Sequence, residues 1–187
     1  MQYLLHLDKE LFKLINGRWH NDFFDAIMPI IRNSLLWYPF YLFLIVFILV
    51  NYKKNVWWWI CFAACTAVLT NFISSDIIKE NIIRIRPCND PELGDSVRFL
   101  LNYRPQSSSF TSSHATNHFG LAAFFYFTLR NSIGKWAYLF FFWAFIIVYA
   151  QVYVGVHYPI DIICGGLIGF VFGYLSARSY NNNYGLV

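Results

Sequence analysis

The sequence predicts an all-α membrane protein, a polytopic transmembrane helix bundle of about five spans with amphipathic helices at its N-terminus. Three observations predict it. Apolar residues make up 58% of the 187-residue chain and charged residues only 13%, about half the charged share of an ordinary soluble domain. Long apolar runs recur, each near the length that crosses a bilayer. Aromatics reach 21%, and the cluster "VWWWICF" from Val56 is of the kind found at a membrane interface. The net charge of +4 is scattered, and no block of lysine or arginine points to a nucleic-acid partner.

The elements follow in order. Leu4, Leu5, Leu7, Leu11, Phe12 and Ile15 are spaced as on one face of a helix, which suits a helix lying at the membrane surface. Acids are mixed into this pattern, so it lacks signal-peptide architecture, and insertion is expected to be directed by the spans. Gly17 is expected to end this helix. A second, over about 22–32, starts at Asn21 or Asp22 as its cap. Residues 1–33 thus form an N-terminal amphipathic region, 34–178 the bundle and 179–187 a frayed tail. The spans are expected at about 34–52, 56–83, 112–130, 135–153 and 157–177, with a polar, proline-bearing loop over 84–111.

Five spans place the N-terminus, the 84–111 loop and the 154–157 turn on one side. The short loops on the other side are basic, with Lys53, Lys54, Arg130, Lys135 and Arg178, which suggests that they are cytoplasmic. The opposite side carries more cations in total, and these need another task.

Polar residues gather on that opposite side. "KENIIRIRP" brings Lys79, Arg84 and Arg86, "TSSHATNH" brings Ser112, Ser113, His114 and His118, and the last turn brings Gln151, His157 and Asp161. Ionisable residues at such a depth are costly unless they face a polar cavity, and they read as functional. The residue types suit chemistry on a phosphate. A helix start at Ser112 or Ser113 offers free N–H groups to an anion, and lysine and arginine neutralise phosphate oxygens. One histidine can attack phosphorus while another protonates the leaving oxygen. Asp161, one turn after His157, can hold the other ring N–H of that histidine. "HATNH" mimics a metal-binding pair, but a zinc protease needs glutamate where Ala115 stands, so His118 is expected near the substrate path instead.

These three segments together resemble the signature of the type-2 phosphatidic acid phosphatase superfamily, which includes membrane lipid phosphatases and soluble vanadium-dependent haloperoxidases. Lysine, six residues, then Arg-Pro matches at Lys79, Arg86 and Pro87. The family's Pro-Ser-Gly-His becomes Thr111-Ser112-Ser113-His114. Its Ser-Arg, five residues, His, three residues, Asp retains His157 and Asp161, but Ala150 and Gln151 replace the Ser-Arg pair. The likeness covers about residues 30–178.

The resemblance implies that His157 is the nucleophile, Asp161 its orienter and His114 the general acid. Lys79, Arg86, Ser112, Ser113 and Gln151 would bind phosphate, helped by backbone N–H groups near Ser113 and His114. No metal or organic cofactor is implied. At Gln151 a charge is missing, worth about 1–3 kcal/mol if uncompensated, and Arg84 or Arg104 is expected to supply it.

The expected function is metal-independent hydrolysis of a lipid phosphomonoester or diphosphate through a phosphohistidine. The substrate would be a membrane lipid phosphate, with polyprenyl diphosphate favoured over phosphatidylglycerol phosphate and lipid A phosphate. The expected setting is a bacterial inner membrane, with the site facing the periplasmic or outer side. Two rivals share the scaffold: a lipid phosphotransferase, and a non-catalytic lipid-binding or transport protein. Oligomeric state is not legible.

Overall fold

The computed structural model describes residues 2–186. Four apolar helical stretches are long enough to cross a bilayer: Ser34–Asn51, Val56–Asn81, Ser113–Tyr153 and Pro159–Asn183. The third is a hairpin. Its helices Ser113–Ile133 and Leu139–Tyr153 are joined by a tight turn at Gly134, whose φ of 57° suits glycine. Ring pairs Tyr126–Tyr138 (5.1 Å) and His118–Trp143 (5.1 Å) run antiparallel along it. The bundle therefore has five long apolar helices, as the sequence predicts.

The helices in chain order are α1 (Gln2–Lys13), α2 (Asp22–Ile31), α3 (Tyr38–Asn51), α4 (Val56–Phe72), the single turn α5 (Lys79–Asn81), α6 (Ser113–Ile133), α7 (Leu139–Tyr153) and α8 (Pro159–Asn183). Asn21 caps α2 as expected, its side-chain oxygen accepting from Phe24 N at 2.9 Å. A wide-wound turn, Ile73–Ile78, joins α4 to α5 and carries the second span to Asn81.

Helix α6 is the centre of the bundle, packed by α4, α7 and α8. Trp59 of α4 stacks on Phe125 at 5.4 Å and donates its indole N–H to Thr128 Oγ1 at 2.9 Å. Helix α3 reaches the bundle through α7, where Phe40 meets Trp143 at 5.0 Å. Leu42, Val46, Val68, Phe142, Leu167 and Val171 stay exposed on the outside, as lipid-facing side chains should.

The α6–α8 contact is the closest in the molecule. Gly165, Gly169 and Gly173 form a one-turn repeat along α8. A Cβ at Gly169 would stand 2.1 Å from Thr116 O, and one at Gly173 would stand 2.0 Å from Gly120 O. Small residues in this pattern let two apolar helices touch backbone to backbone where no hydrophobic effect drives them together. The contact also sets the site, because the N-terminal ends of both helices carry it: Ser112 N donates to Asp161 O at 3.2 Å.

Two expectations change. The tail is ordered helix as far as Asn183, and Asn55 Nδ2 donates to Tyr184 O at 2.8 Å while Trp58 stacks on the Tyr184 ring at 4.6 Å. The polar run "SYNNN" reads as fraying only if these partners, more than a hundred residues earlier, are ignored. Val187 lies outside the described residues. The N-terminal helices are amphipathic, but α1 does not simply lie on a surface. It buries Asp8 and Phe12 against the start of α8, and Phe12 meets Tyr158 edge-on at 5.5 Å.

Replacing Gly169 by leucine is expected to force α6 and α8 apart, costing about 3 kcal/mol or more. Thermal unfolding in detergent checks this, and an unchanged melting temperature would contradict the packing.

Candidate active site

The three segments that the sequence singles out meet at one end of the bundle. Arg86, buried in the 84–111 loop, is the hub. Its guanidinium donates to Ser107 O (2.8 Å), Val156 O (3.0 Å), Ser108 O (3.2 Å) and Ser107 Oγ (3.1 Å), and stands 3.1 Å from His157 Nε2. Arginine has no acceptor. His157 Nε2 must therefore accept, and in the neutral ring the proton sits on Nδ1. Burial, the largest influence, pushes His157 down to about 4 despite the opposing pull of the Asp161 carboxylate, so the ring is neutral at pH 7.

Nδ1 faces Asp161, with its Oδ2 at 3.6 Å. That exceeds a hydrogen-bond length. Ser109 closes the gap: its Oγ lies 3.5 Å from Nδ1 and donates to Asp161 Oδ2 at 2.5 Å. Asp161 is fully buried in the first turn of α8, where Tyr158 N donates to Oδ2 at 2.9 Å and Arg84 to Oδ1 at 2.5 Å. Pro159 begins α8, a position where its missing N–H is no loss. Gly155 makes the preceding turn at φ 88°, with its carbonyl accepting from Cys88 N at 3.1 Å, so first-motif and last-motif backbones are tied.

His114 lies in the first turn of α6 and stacks over His118 with ring centroids 6.0 Å apart. His118 Nδ1 is 2.8 Å from the His114 carbonyl, so it donates, and its buried Nε2 has no partner among the described residues. Ser112 is the N-cap of α6, its Oγ accepting from Ala115 N at 3.4 Å. Ser113 turns the other way, its hydroxyl 3.1 Å from Ser74 Oγ and 3.0 Å from Ser75 Oγ. Ser113 shares its hydroxyl with two serines while Ser112 keeps its own O–H to give, and among the described residues no hydrogen bond uses the backbone N–H of Ser113 or His114. That is the part of the helix start an anion can take. Lys79, at the end of the second span, has no carboxylate partner among the described residues.

The arginines expected to replace the charge missing at Gln151 are elsewhere. Arg84 is held by two carboxylates, Asp161 and Asp8 (2.5 Å), and lies 4.2 Å over the Tyr158 ring. Arg104 donates to Cys88 O and lies over Phe99. Gln151, fully buried on α7, instead accepts from Arg32 Nε at 3.3 Å. Among the described residues no three His, Cys, Asp or Glu side chains stand together as a metal-ligand group.

Three contributors are absent from the sequence reading. Asp8 accepts from Arg84 and from Ile160 N (2.8 Å), and so braces the start of α8 from the far end of the chain. Its signal was present: it stands one turn from both Leu4 and Phe12, an acid inside an apolar stripe. Ser109, in the polar run "QSSSF", carries no such mark. Arg32 sits at the end of α2, where a basic residue reads as an interfacial anchor.

With this geometry in hand, the comparisons are decisive about family. A PAP2 superfamily model matches residues 56–184. The chain belongs to the PAP2 superfamily. It is 30% identical over 181 residues to a lipid A 4'-phosphatase of Bacteroides thetaiotaomicron, covering 94% of this chain and 77% of that protein. A lipid A 4'-phosphatase of Porphyromonas gingivalis is 28% identical over 183 residues, covering 96% and 75%. Among solved structures, LpxE of Aquifex aeolicus superposes with a TM-score of 0.66 at 26% identity, covering 92% of this chain and 95% of that one. The chain is thus a membrane-integrated lipid phosphatase of the PAP2 type.

The PAP2 site depends on the N-terminal brace. Asp8→Ala leaves Arg84 with Asp161 alone and the Ile160 N–H without its acceptor, and should cost about 1–3 kcal/mol. Thermal unfolding of the purified variant tests this. A variant as stable as the parent would mean that Asp8 is not a structural partner of the site.

Proposed function

We propose that this PAP2 protein hydrolyses a phosphomonoester on a membrane lipid through a phosphohistidine, without a metal, on the outer side of a bacterial inner membrane. The observation that carries the reading is the placing of His157: Nε2 faces the Arg86 guanidinium at 3.1 Å and Nδ1 faces Asp161, so with the proton on Nδ1 the Nε2 lone pair is turned to the cationic side and is released when a phosphoryl oxygen takes the Arg86 N–H.

In the first step the Nε2 lone pair attacks phosphorus and the bond from phosphorus to the lipid oxygen breaks. That oxygen takes a proton from His114. As His157 gains positive charge on phosphorylation, Asp161 stabilises the ring. In the second step His114 removes a proton from water, the water oxygen attacks phosphorus, and the P–N bond breaks to restore the lone pair. Lys79 and the free N–H groups of Ser113 and His114 hold the phosphoryl oxygens, joined by the Arg86 N–H that turns from His157 Nε2 to the substrate, with Ser112 fixing that helix start.

For substrate, the lipid A phosphate class is favoured over polyprenyl diphosphate. A diphosphate preference would rest on spare cations in the 84–111 loop, but there Arg84 and Arg98 are paired with Asp8, Asp161 and Asp25, and Arg104 binds a carbonyl. The relatives named as lipid A 4'-phosphatases support the same choice. The lipid chain has a berth beside the site. A cavity of about 530 Å³ between α3, α4 and α6 is lined by Tyr41, Ile45, Ile60, Ala64, Leu121 and His118, and His118 is one turn from His114.

The test is phosphate release in detergent with excess chelator, comparing lipid A, polyprenyl diphosphate and phosphatidylglycerol phosphate. Chelator-resistant release, greatest with lipid A, is expected, and His157→Ala should lower it by a factor of about 10⁴ or more. A brief incubation with radiolabelled substrate should leave an acid-labile, alkali-stable label on the protein. Release that survives in His157→Ala would end the histidine mechanism, and a product that needs an acceptor lipid would make the protein a transferase.

A further inference from the structure

We propose that Arg32 and Gln151 act together as a phosphate-binding pair, doing between them what one arginine does at position 151 in the resembling family motif. The assignment rests on reading the site as a phosphate site, and it adds Arg32, which lies outside the three motif segments.

Gln151 is fully buried on α7, three residues before the turn that carries His157. Its Oε1 accepts from Arg32 Nε at 3.3 Å. Because arginine only donates, this contact sets the orientation of the amide, with Nε2 on the opposite branch. That Nε2 has no partner among the described residues. A buried donor left unpaired costs about 1–3 kcal/mol, so this position awaits an acceptor. The terminal nitrogens of Arg32 are likewise without a hydrogen-bond or ion-pair partner among the described residues. The arginines of the 84–111 loop are all engaged: Arg84 and Arg98 by carboxylates, Arg86 by four oxygen contacts, Arg104 by a carbonyl. The charge of Arg32 also reaches Arg86, whose guanidinium touches His157.

An oxyanion satisfies all of these groups at once. The amide of Gln151 gives one neutral hydrogen bond, and the fork of Arg32 gives the charge and a bidentate grip. Two separate helices, α2 and α7, then share a task that a single long side chain performs elsewhere. The N-terminal region becomes part of the phosphate site as well as a brace for it.

The experiment compares the parent with Arg32→Ala, Arg32→Gln and Arg32→Ala/Gln151→Arg, all purified in detergent. Two readouts are used. One is the rise in melting temperature caused by inorganic phosphate, which needs no lipid substrate. The other is inhibition of lipid turnover by inorganic phosphate. Arg32→Ala and Arg32→Gln are each expected to weaken phosphate binding about tenfold or more. In the double variant, the arginine at 151 should restore it to within about threefold of the parent. Arg32→Gln keeps a donor for Gln151, so it separates loss of charge from loss of packing if the alanine variant is unstable. Phosphate binding within about twofold of the parent in Arg32→Gln would overturn the assignment. So would a double variant that folds with the parent's melting temperature yet regains no phosphate affinity. If the parent itself released phosphate from no lipid, the hydrolase reading would fall, while the phosphate melting shift would still decide the role of Arg32.

Discussion

Asp161 is the constraint on which the rest of the site depends. A carboxylate with no exposed surface is tolerated only when its oxygens are fully engaged. Here Arg84, Ser109 and Tyr158 N take those oxygens, while the backbone carbonyl of the same residue receives Ser112 N. One residue thus orders the loop through Arg84 and Ser109, the start of α6 through Ser112, and the ring of His157 through the charge it faces. The close α6–α8 approach makes this geometry available. The glycine stripe brings two helix starts to the same depth, and only then can Ser112 and Asp161 share a hydrogen bond.

The N-terminal region has a larger part than its amphipathic pattern suggests. Asn16 bridges Arg98 O (2.8 Å) and Tyr153 O (2.7 Å), and Asp25 accepts from Tyr153 Oη at 2.6 Å and pairs with Arg98. With Asp8 on Arg84 and Lys9 on Asp90 at 2.8 Å, these contacts clamp the loop and the last turn from one side. Of these ion pairs Asp8–Arg84 is the most buried, while Lys9–Asp90 and Asp25–Arg98 keep partial exposure and contribute less.

The spans were legible in the sequence because bilayer thickness and apolar run length are both local quantities. The motif residues were legible for a similar reason: His157 and Asp161 are one turn apart, and Lys79 and Arg86 stand in one short segment. What escaped was pairing across the chain. Asp8 meets Arg84 over 76 residues and Arg32 meets Gln151 over 119, and no periodicity encodes either. Ser109 escaped because a serine in a polar loop has the same appearance whether or not it bridges a histidine and a carboxylate. Expecting Arg84 and Arg104 at Gln151 followed from counting cations on one side. Two buried carboxylates competed for Arg84 and won.

The ion triad Asp8–Arg84–Asp161 also sets an order of events during synthesis. Domains and segments form from the N-terminus as the chain emerges, and contacts of large sequence separation close late. Asp8 and Arg84 can meet once the second span is made, but Asp161 arrives 77 residues after Arg84, at the start of the last helix. Until α8 is threaded against α6, no part of the chain can hold His157 in place or satisfy Arg84 fully. The constellation is therefore completed only when α8 packs against α6, and until then the Asp8–Arg84 pair waits for its second carboxylate.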